Sequence, residues 1–350
     1  MEKIINYIDL PYSKGQSIYL RFETDPRLFT NLISKGYKIV KNIKDSNEST
    51  IYVTGRRQDY QCHSCDEYFD TVNNNIRETL KEDGIIKPNT VDFSYKDLIE
   101  YKYKLPFVLK NENQNGGREK FLIQTESDYE NLIQACRFLI DKKLVLLTSI
   151  KNDDVKSHID YEKYLGFNFK IQEYIKTPTE YNTTVRLITS SSKDLLYGSL
   201  KYKKSDDYID DTTLLGYLLN RVYPLSTKSI VSNTLSGGNN ILLQENNYNE
   251  FESILLNKHN INSTDFNSLI EISKDVHYKY RAELGIICGF DYIYDEDKKR
   301  WFLLEYHSRP MVGDYSKRQG INYENKDDRI KAEGRVRATA LSLTLKKLGN

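Results

Sequence analysis

Toward its C-terminal end the chain reads Gly289-Phe290-Asp291-Tyr292-Ile293, then a short charged stretch from Tyr294 to Arg300, then Trp301-Phe302-Leu303-Leu304-Glu305-Tyr306-His307-Ser308-Arg309-Pro310. Two apolar runs rich in Phe, Ile, Tyr and Trp flank the polar connector Asp295-Glu296-Asp297-Lys298-Lys299, a pattern that predicts a β-hairpin. Pairing of these strands would bring Asp291 and Glu305 side by side at the open end. Adjacent carboxylates repel unless a cation lies between them, and carboxylates together with phosphates are common ligands of Mg²⁺. Acidic residues at strand ends are also frequent without any ion, so the rest of the chain has to decide.

Working outward, a chain of 350 residues with 39% hydrophobic side chains can bury a substantial core and divide into two or three lobes. The charge balance, 51 basic against 50 acidic residues, gives no electrostatic reason to expect a nucleic-acid or membrane partner. No apolar run is long enough to span a bilayer, and Met1-Glu2-Lys3-Ile4 lacks the apolar core of a signal peptide, so a cytoplasmic protein is expected. Cys62, Cys65, Cys136 and Cys288 are too scattered for a disulfide framework. Cys62-His63-Ser64-Cys65 offers half a zinc site without a second half. The 28 tyrosines are a weak hint of an interaction surface, compatible with a homo-oligomer.

Before the hairpin, strands and helices alternate. Ile18–Phe22 (strand), Asp25–Lys35 (helix), Tyr37–Val40 and Thr50–Thr54 (strands) suggest a small α/β lobe. Helices are expected over Asn73–Asp83, closed near Gly84, and over Asp92–Tyr101, capped by Ser94 or Asp92. The strand Leu105-Pro106-Phe107-Val108-Leu109-Lys110 runs into a loop holding Gly116, Gly117 and Lys120, then the strand Phe121–Ile123 and a helix from Ser127 to Asp141. A glycine pair lets backbone N–H groups approach phosphate oxygens, although Gly-Gly also marks ordinary turns. Phe169–Ile175, Thr184–Ile188 and Leu196–Lys203 read as strands, the last with Ser199, Lys201 and Lys203 on one face. A lysine face of this kind is as readily a solvated face. Asp211–Val222 reads as a helix within an insertion or lid, and a long helix from Thr264 to Leu284 feeds the Asp291 strand.

In this order the motifs resemble the ATP-grasp superfamily of carboxylate–amine ligases, over about Asn73 to Pro310. The residues that carry the resemblance are Leu105–Lys110 with Gly116-Gly117, Ile171-Gln172-Glu173-Tyr174-Ile175 with Glu180, Arg186, and Asp291 with Glu305–Pro310. It implies an α+β fold of two lobes clasping ATP, with a small N-terminal lobe over 1–72, lobes over 73–170 and 171–320, an insertion over 205–232, and a C-terminal helix or tail over 321–350. It further implies that Lys110, Gly116, Gly117 and Lys120 hold phosphates, that the backbone of Gln172, Glu173, Tyr174 and Ile175 meets the adenine edge, and that Glu180 takes the ribose. Asp291 and Glu305 would hold Mg²⁺, with Mn²⁺ as the alternative. Arg186 and Lys201 would neutralise the transferring phosphoryl group, and Arg309 would hold the substrate carboxylate.

Two positions depart from the superfamily's pattern. Asn73 stands where a further nucleotide-binding lysine is usual, leaving Arg77 one turn on as a substitute, and His307 stands where the metal motif ends in Asn. The implied activity joins a small-molecule or peptide carboxylate to an amine. The same apparatus would also suit a phosphotransferase, or a nucleotide-binding module acting through a protein partner.

Overall fold

The computed structural model describes residues 3–6, 36–40, 51–52, 66–111, 119–141, 169–177, 183–202, 213–227, 230, 239–243, 253, 261, 263–307, 310, 336 and 339–347. It is an α+β structure of three sheets. β1 (Lys3–Asn6) pairs in parallel with β2 (Tyr37–Val40) and β3 (Ile51–Tyr52). β4 (Thr90–Asp92), β5 (Phe107–Asn111), β6 (Lys120–Ile123) and β7 (Phe169–Glu173) form an antiparallel sheet in the order β4-β7-β5-β6. β8 (Thr183–Ser190), β9 (Leu195–Tyr202), β10 (Asn239–Leu243), β11 (Ile287–Asp295) and β12 (Arg300–His307) form a second antiparallel sheet in the order β10-β9-β8-β11-β12. Among the described residues no helix is long and apolar enough to cross a membrane.

α1 (Asp66–Glu82) starts earlier than the sequence suggests and ends where expected. Its buried residues Val72, Ile76 and Leu80 recur every fourth position, so one stripe faces inward. That stripe joins Leu187, Phe290, Tyr292, Leu303 and Tyr306 in the core on one side of the five-stranded sheet. The helix stops because Gly84 takes φ +80°, letting its N–H donate to Lys81 O (3.0 Å) and the Ile85 N–H donate to Leu80 O (2.9 Å). Since L side chains disfavour that conformation, Gly84→Ala should cost about 1 kcal/mol, read as a lower urea midpoint with unchanged slope. From this turn the chain crosses between sheets: Ile86 bridges Phe302, its carbonyl accepting from Leu303 N–H (2.9 Å), before β4 begins.

α2 (Tyr95–Ile99) is shorter than the expected Asp92–Tyr101, and Ser94 is its cap, accepting from Asp97 N–H at 3.3 Å. With α3 (Glu126–Asp141) it covers the four-stranded sheet over a core that includes Phe93, Phe107, Tyr129, Leu132, Cys136 and Phe169. Burial in this core pushes the Cys136 thiol up to about 12, so it serves as a small apolar side chain. The helix expected over Asp211–Val222 is α4 (Leu214–Tyr217) running into a π-helical turn (Leu218–Val222). Leu215, Leu218, Leu219 and Leu225 pack into the same core, and the buried Asp128 accepts from Ser226 N–H (2.6 Å) and Oγ–H (2.7 Å), so this part of the insertion is docked on the four-stranded sheet's layer. The long C-terminal-half helix divides at Tyr280 into α5 (Ser263–Lys279) and α6 (Arg281–Leu284). The expected strand at Ile18–Phe22, the helix at Asp25–Lys35 and the Cys62/Cys65 pair lie outside the described residues.

Candidate functional site

The five-stranded sheet is covered on one face by α1 and α5, and its other face turns toward the four-stranded sheet. Between the sheets lies a cleft, open to solvent, lined by Val108, Lys110, Lys120, Gln172, Glu173, Tyr174, Ile175, Thr184, Ile230, Asp291, Ile293, Leu304 and Glu305. Segments far apart in sequence therefore meet in one cleft.

On one wall, antiparallel pairing sets lysines in a row: Lys120 opposite Lys110 across β6 and β5, and Lys110 opposite Lys170 across β5 and β7. The row ends at Asp92, which pairs with Lys170 both in register and by an ion pair. Like charges directly opposite one another are unfavourable unless something negative lies between or above them. The base of the intervening loop is closed by the Asn111 N–H donating to Glu119 O (3.0 Å) and the Asn111 amide donating to Glu119 Oε2 (2.6 Å), both side chains buried. Gly116 and Gly117 lie outside the described residues.

The opposite wall is acidic. Arg186, Asp291 and Glu305 face one another in register across β8, β11 and β12. Arg186 grips Asp291 with two parallel hydrogen bonds, Nε donating to Oδ1 at 2.5 Å and an Nη to Oδ2. Their side chains are only 16% and 11% exposed, so the charges are largely removed from water. Burial opposes ionisation of Asp291, but Arg186, with a smaller contribution from Lys201, outweighs it and holds the carboxyl below its usual range. Glu305 is more open, and its Oε1 lies 3.2 Å from Nε2 of His307. Desolvation raises its pKa, yet His307, Lys120 and Lys110 together bring it well below the ordinary value. The basic wall thus acts on the acidic wall across the cleft.

A hinge joins the two sheets at the end of β7, which stops at Glu173 rather than at the expected Ile175. The Glu173 carboxylate binds Lys298 in the β11–β12 turn and accepts from Asn89 N–H at 3.2 Å, while Glu296 N–H donates to Lys176 O at 2.9 Å. Ile175 packs on Ile293 and Phe302. Gln172 is buried, its amide 3.5 Å from the Thr90 hydroxyl.

The structure therefore gathers Lys110, Lys120, Gln172, Glu173, Tyr174, Ile175, Asp291 and Glu305 around one cleft, with His307 against Glu305. Arg186 and Lys201 lie beside the carboxylates on the same face of the sheet, Arg186 two residues from Thr184 and Lys201 opposite Thr184 on β9, but neither is among the residues lining the cleft. Lys201 is only 8% exposed, so β9 does not present a solvated lysine face there. Lys203, Glu180 and Arg309 lie outside the described residues. Arg77 is exposed and is not among the residues lining the cleft, and Asn73 accepts a hydrogen bond from the Tyr306 hydroxyl on the far side of β12. Val108, Thr184 and Ile293 escaped notice, although each stands two residues from a singled-out strand residue and so shares its face.

Leu304 was hidden by an irregularity. The turn pairs Asp295 with Arg300 and Tyr292 with Leu303, which would set Asp291 opposite Leu304, but a β-bulge between Asp291 and Tyr292 shifts the register and sets it opposite Glu305. Leu304 and Glu305 consequently both line the cleft. Beside this, Gly289 has no space for a side chain, since a Cβ there would lie 2.8 Å from Pro310 Cβ and 2.9 Å from Ile188 Cδ1.

No protein-family model and no curated protein matches the sequence. Among solved structures, the chain is similar to a D-alanine–D-alanine ligase from Bacillus anthracis complexed with ATP, at 10% identity and TM-score 0.40, covering 97% of this chain and 99% of that one. It is also similar to the ATP-grasp ligase PsnB complexed with a minimal precursor, at 9% identity and TM-score 0.41, covering 98% and 100%. The same ligase complexed with precursor, Mg and ADP aligns at 8% identity and TM-score 0.37, covering 85% and 63%.

The donors present fit a divalent cation: ligand atoms of Asp291, Glu305 and His307 all lie within 4.8 Å of one another. Asp291 retains lone pairs on both oxygens beyond those Arg186 uses.

Proposed function

We propose that the chain is an ATP-dependent carboxylate–amine ligase of the ATP-grasp type. The observation that carries this reading is the facing of a lysine row and a carboxylate pair across one cleft, since polyphosphate and its dication need both at once. Lys110 and Lys120 would hold phosphate oxygens, and the backbone of Gln172 to Ile175, where β7 ends, would offer donors and acceptors to the adenine edge. Asp291 and Glu305 would hold Mg²⁺ or Mn²⁺, which when bound neutralises charge on the β- and γ-phosphates. Arg186 acts through Asp291 and keeps that carboxylate ionised and aimed.

In this reading a substrate carboxylate oxygen attacks the γ-phosphorus while the bond to ADP breaks, giving an acyl phosphate. The amine nitrogen then attacks the acyl carbon, phosphate departs and the amine proton passes to solvent. No residue has to act as a covalent nucleophile, because positioning and charge neutralisation supply the catalysis.

ADP release measured across paired panels of acids and amines tests the reaction. ADP appearing only when both are present supports ligation, whereas nucleotide binding with no ADP across the panels would favour a binding module. Lys110→Met should weaken binding of a non-hydrolysable ATP analogue about tenfold to hundredfold, the worth of one charge-assisted hydrogen bond, measured by calorimetry.

A further inference from the structure

Nε2 of His307 is directed at Glu305 Oε1 from 3.2 Å, on the side of β12 that faces the cleft. Cis donors on a six-coordinate ion with bonds of about 2.1 Å stand about 3 Å apart, so this nitrogen and this oxygen are already spaced as two ligands of one ion. The third donor, Asp291, is fixed by Arg186, and Glu305 and His307 keep side-chain exposures of 45% and 40%, enough to admit an ion and its waters. A nitrogen donor changes which ion the site prefers. Mg²⁺ favours an all-oxygen shell and dehydrates reluctantly, whereas first-row transition dications accept imidazole readily.

We infer that His307 makes this a mixed nitrogen–oxygen site selective for a first-row transition-metal dication over Mg²⁺. The inference rests on the nucleotide reading for the ion's role, but its donor set stands on the geometry of β11 and β12 alone.

Mn²⁺ is the probe, followed by loss of the free-ion electron paramagnetic resonance signal, with Mg²⁺ as competitor, in the full chain with and without a non-hydrolysable ATP analogue. The expected result is about tenfold tighter Mn²⁺ than Mg²⁺ binding beyond the analogue's own preference, falling to parity in His307→Asn and partly restored in none of the all-oxygen variants such as His307→Gln. Equal Mn²⁺ preference in the wild-type and His307→Asn proteins would overturn the inference. Mn²⁺ bound through His307 without any analogue binding would overturn the nucleotide reading and leave the donor set standing. His307 is part-exposed on an edge strand, so both variants are expected to keep the wild-type thermal midpoint, which is checked first.

Discussion

Glu305→Gln should abolish ADP formation and weaken binding of the metal–nucleotide pair by about tenfold to hundredfold. The substitution keeps the shape of the side chain and removes its charge. An amide oxygen is a poor ligand for a dication, and the charge that Lys110 and Lys120 sense across the cleft disappears with it. The fold should survive, because the side chain is 45% exposed and stands on an edge strand. Loss of turnover at an unchanged thermal midpoint is the expected outcome. Undiminished ADP formation would remove Glu305 from the site and the acidic wall with it.

Arg186→Met should be the most destabilising single change at the site, by about 3–5 kcal/mol, because it leaves Asp291 ionisable, buried and without its main counter-charge. Lys201 would compensate in part, so the loss should fall toward the lower end of that range. Adding Asp291→Leu should recover most of the stability, since exchanging a whole buried pair for apolar groups is often neutral or better. It should recover no metal binding. Urea unfolding and Mn²⁺ titration on the single and double variants separate the two roles, and a stable Arg186→Met protein would show that the pair is not held in the buried geometry described.

How much was legible in the sequence depended on whether the signal was local. The hairpin that carries Asp291 and Glu305, the stop at Gly84 and the cap at Ser94 are written in neighbouring residues, whereas the bulge that sets the two carboxylates opposite one another is not. The cleft residues Lys110, Lys120 and Gln172 to Ile175 were found through motif order, and β-pairing then brought them together. What escaped was set by register. That Lys170 continues the lysine row, that Arg186 grips Asp291 and that Lys201 is buried beside them on the same sheet face follow from which strands are neighbours, which no local pattern states. The break at Tyr280 and the π-helical turn at Leu218–Val222 likewise depend on packing rather than on propensity.

The extra residue in β12 has a consequence for how this chain could vary. A regular strand gives alternate side chains to a ligand, so an apolar contact and a charged one from the same strand are normally two positions apart. Here Leu304 and Glu305 line the same cleft as sequence neighbours. Excising Leu304 would leave an uninterrupted hairpin in which the carboxylates still meet, while the greasy contact vanishes. The apolar part of the cleft wall is thereby separable from its charged part by the length of the strand, not by its composition.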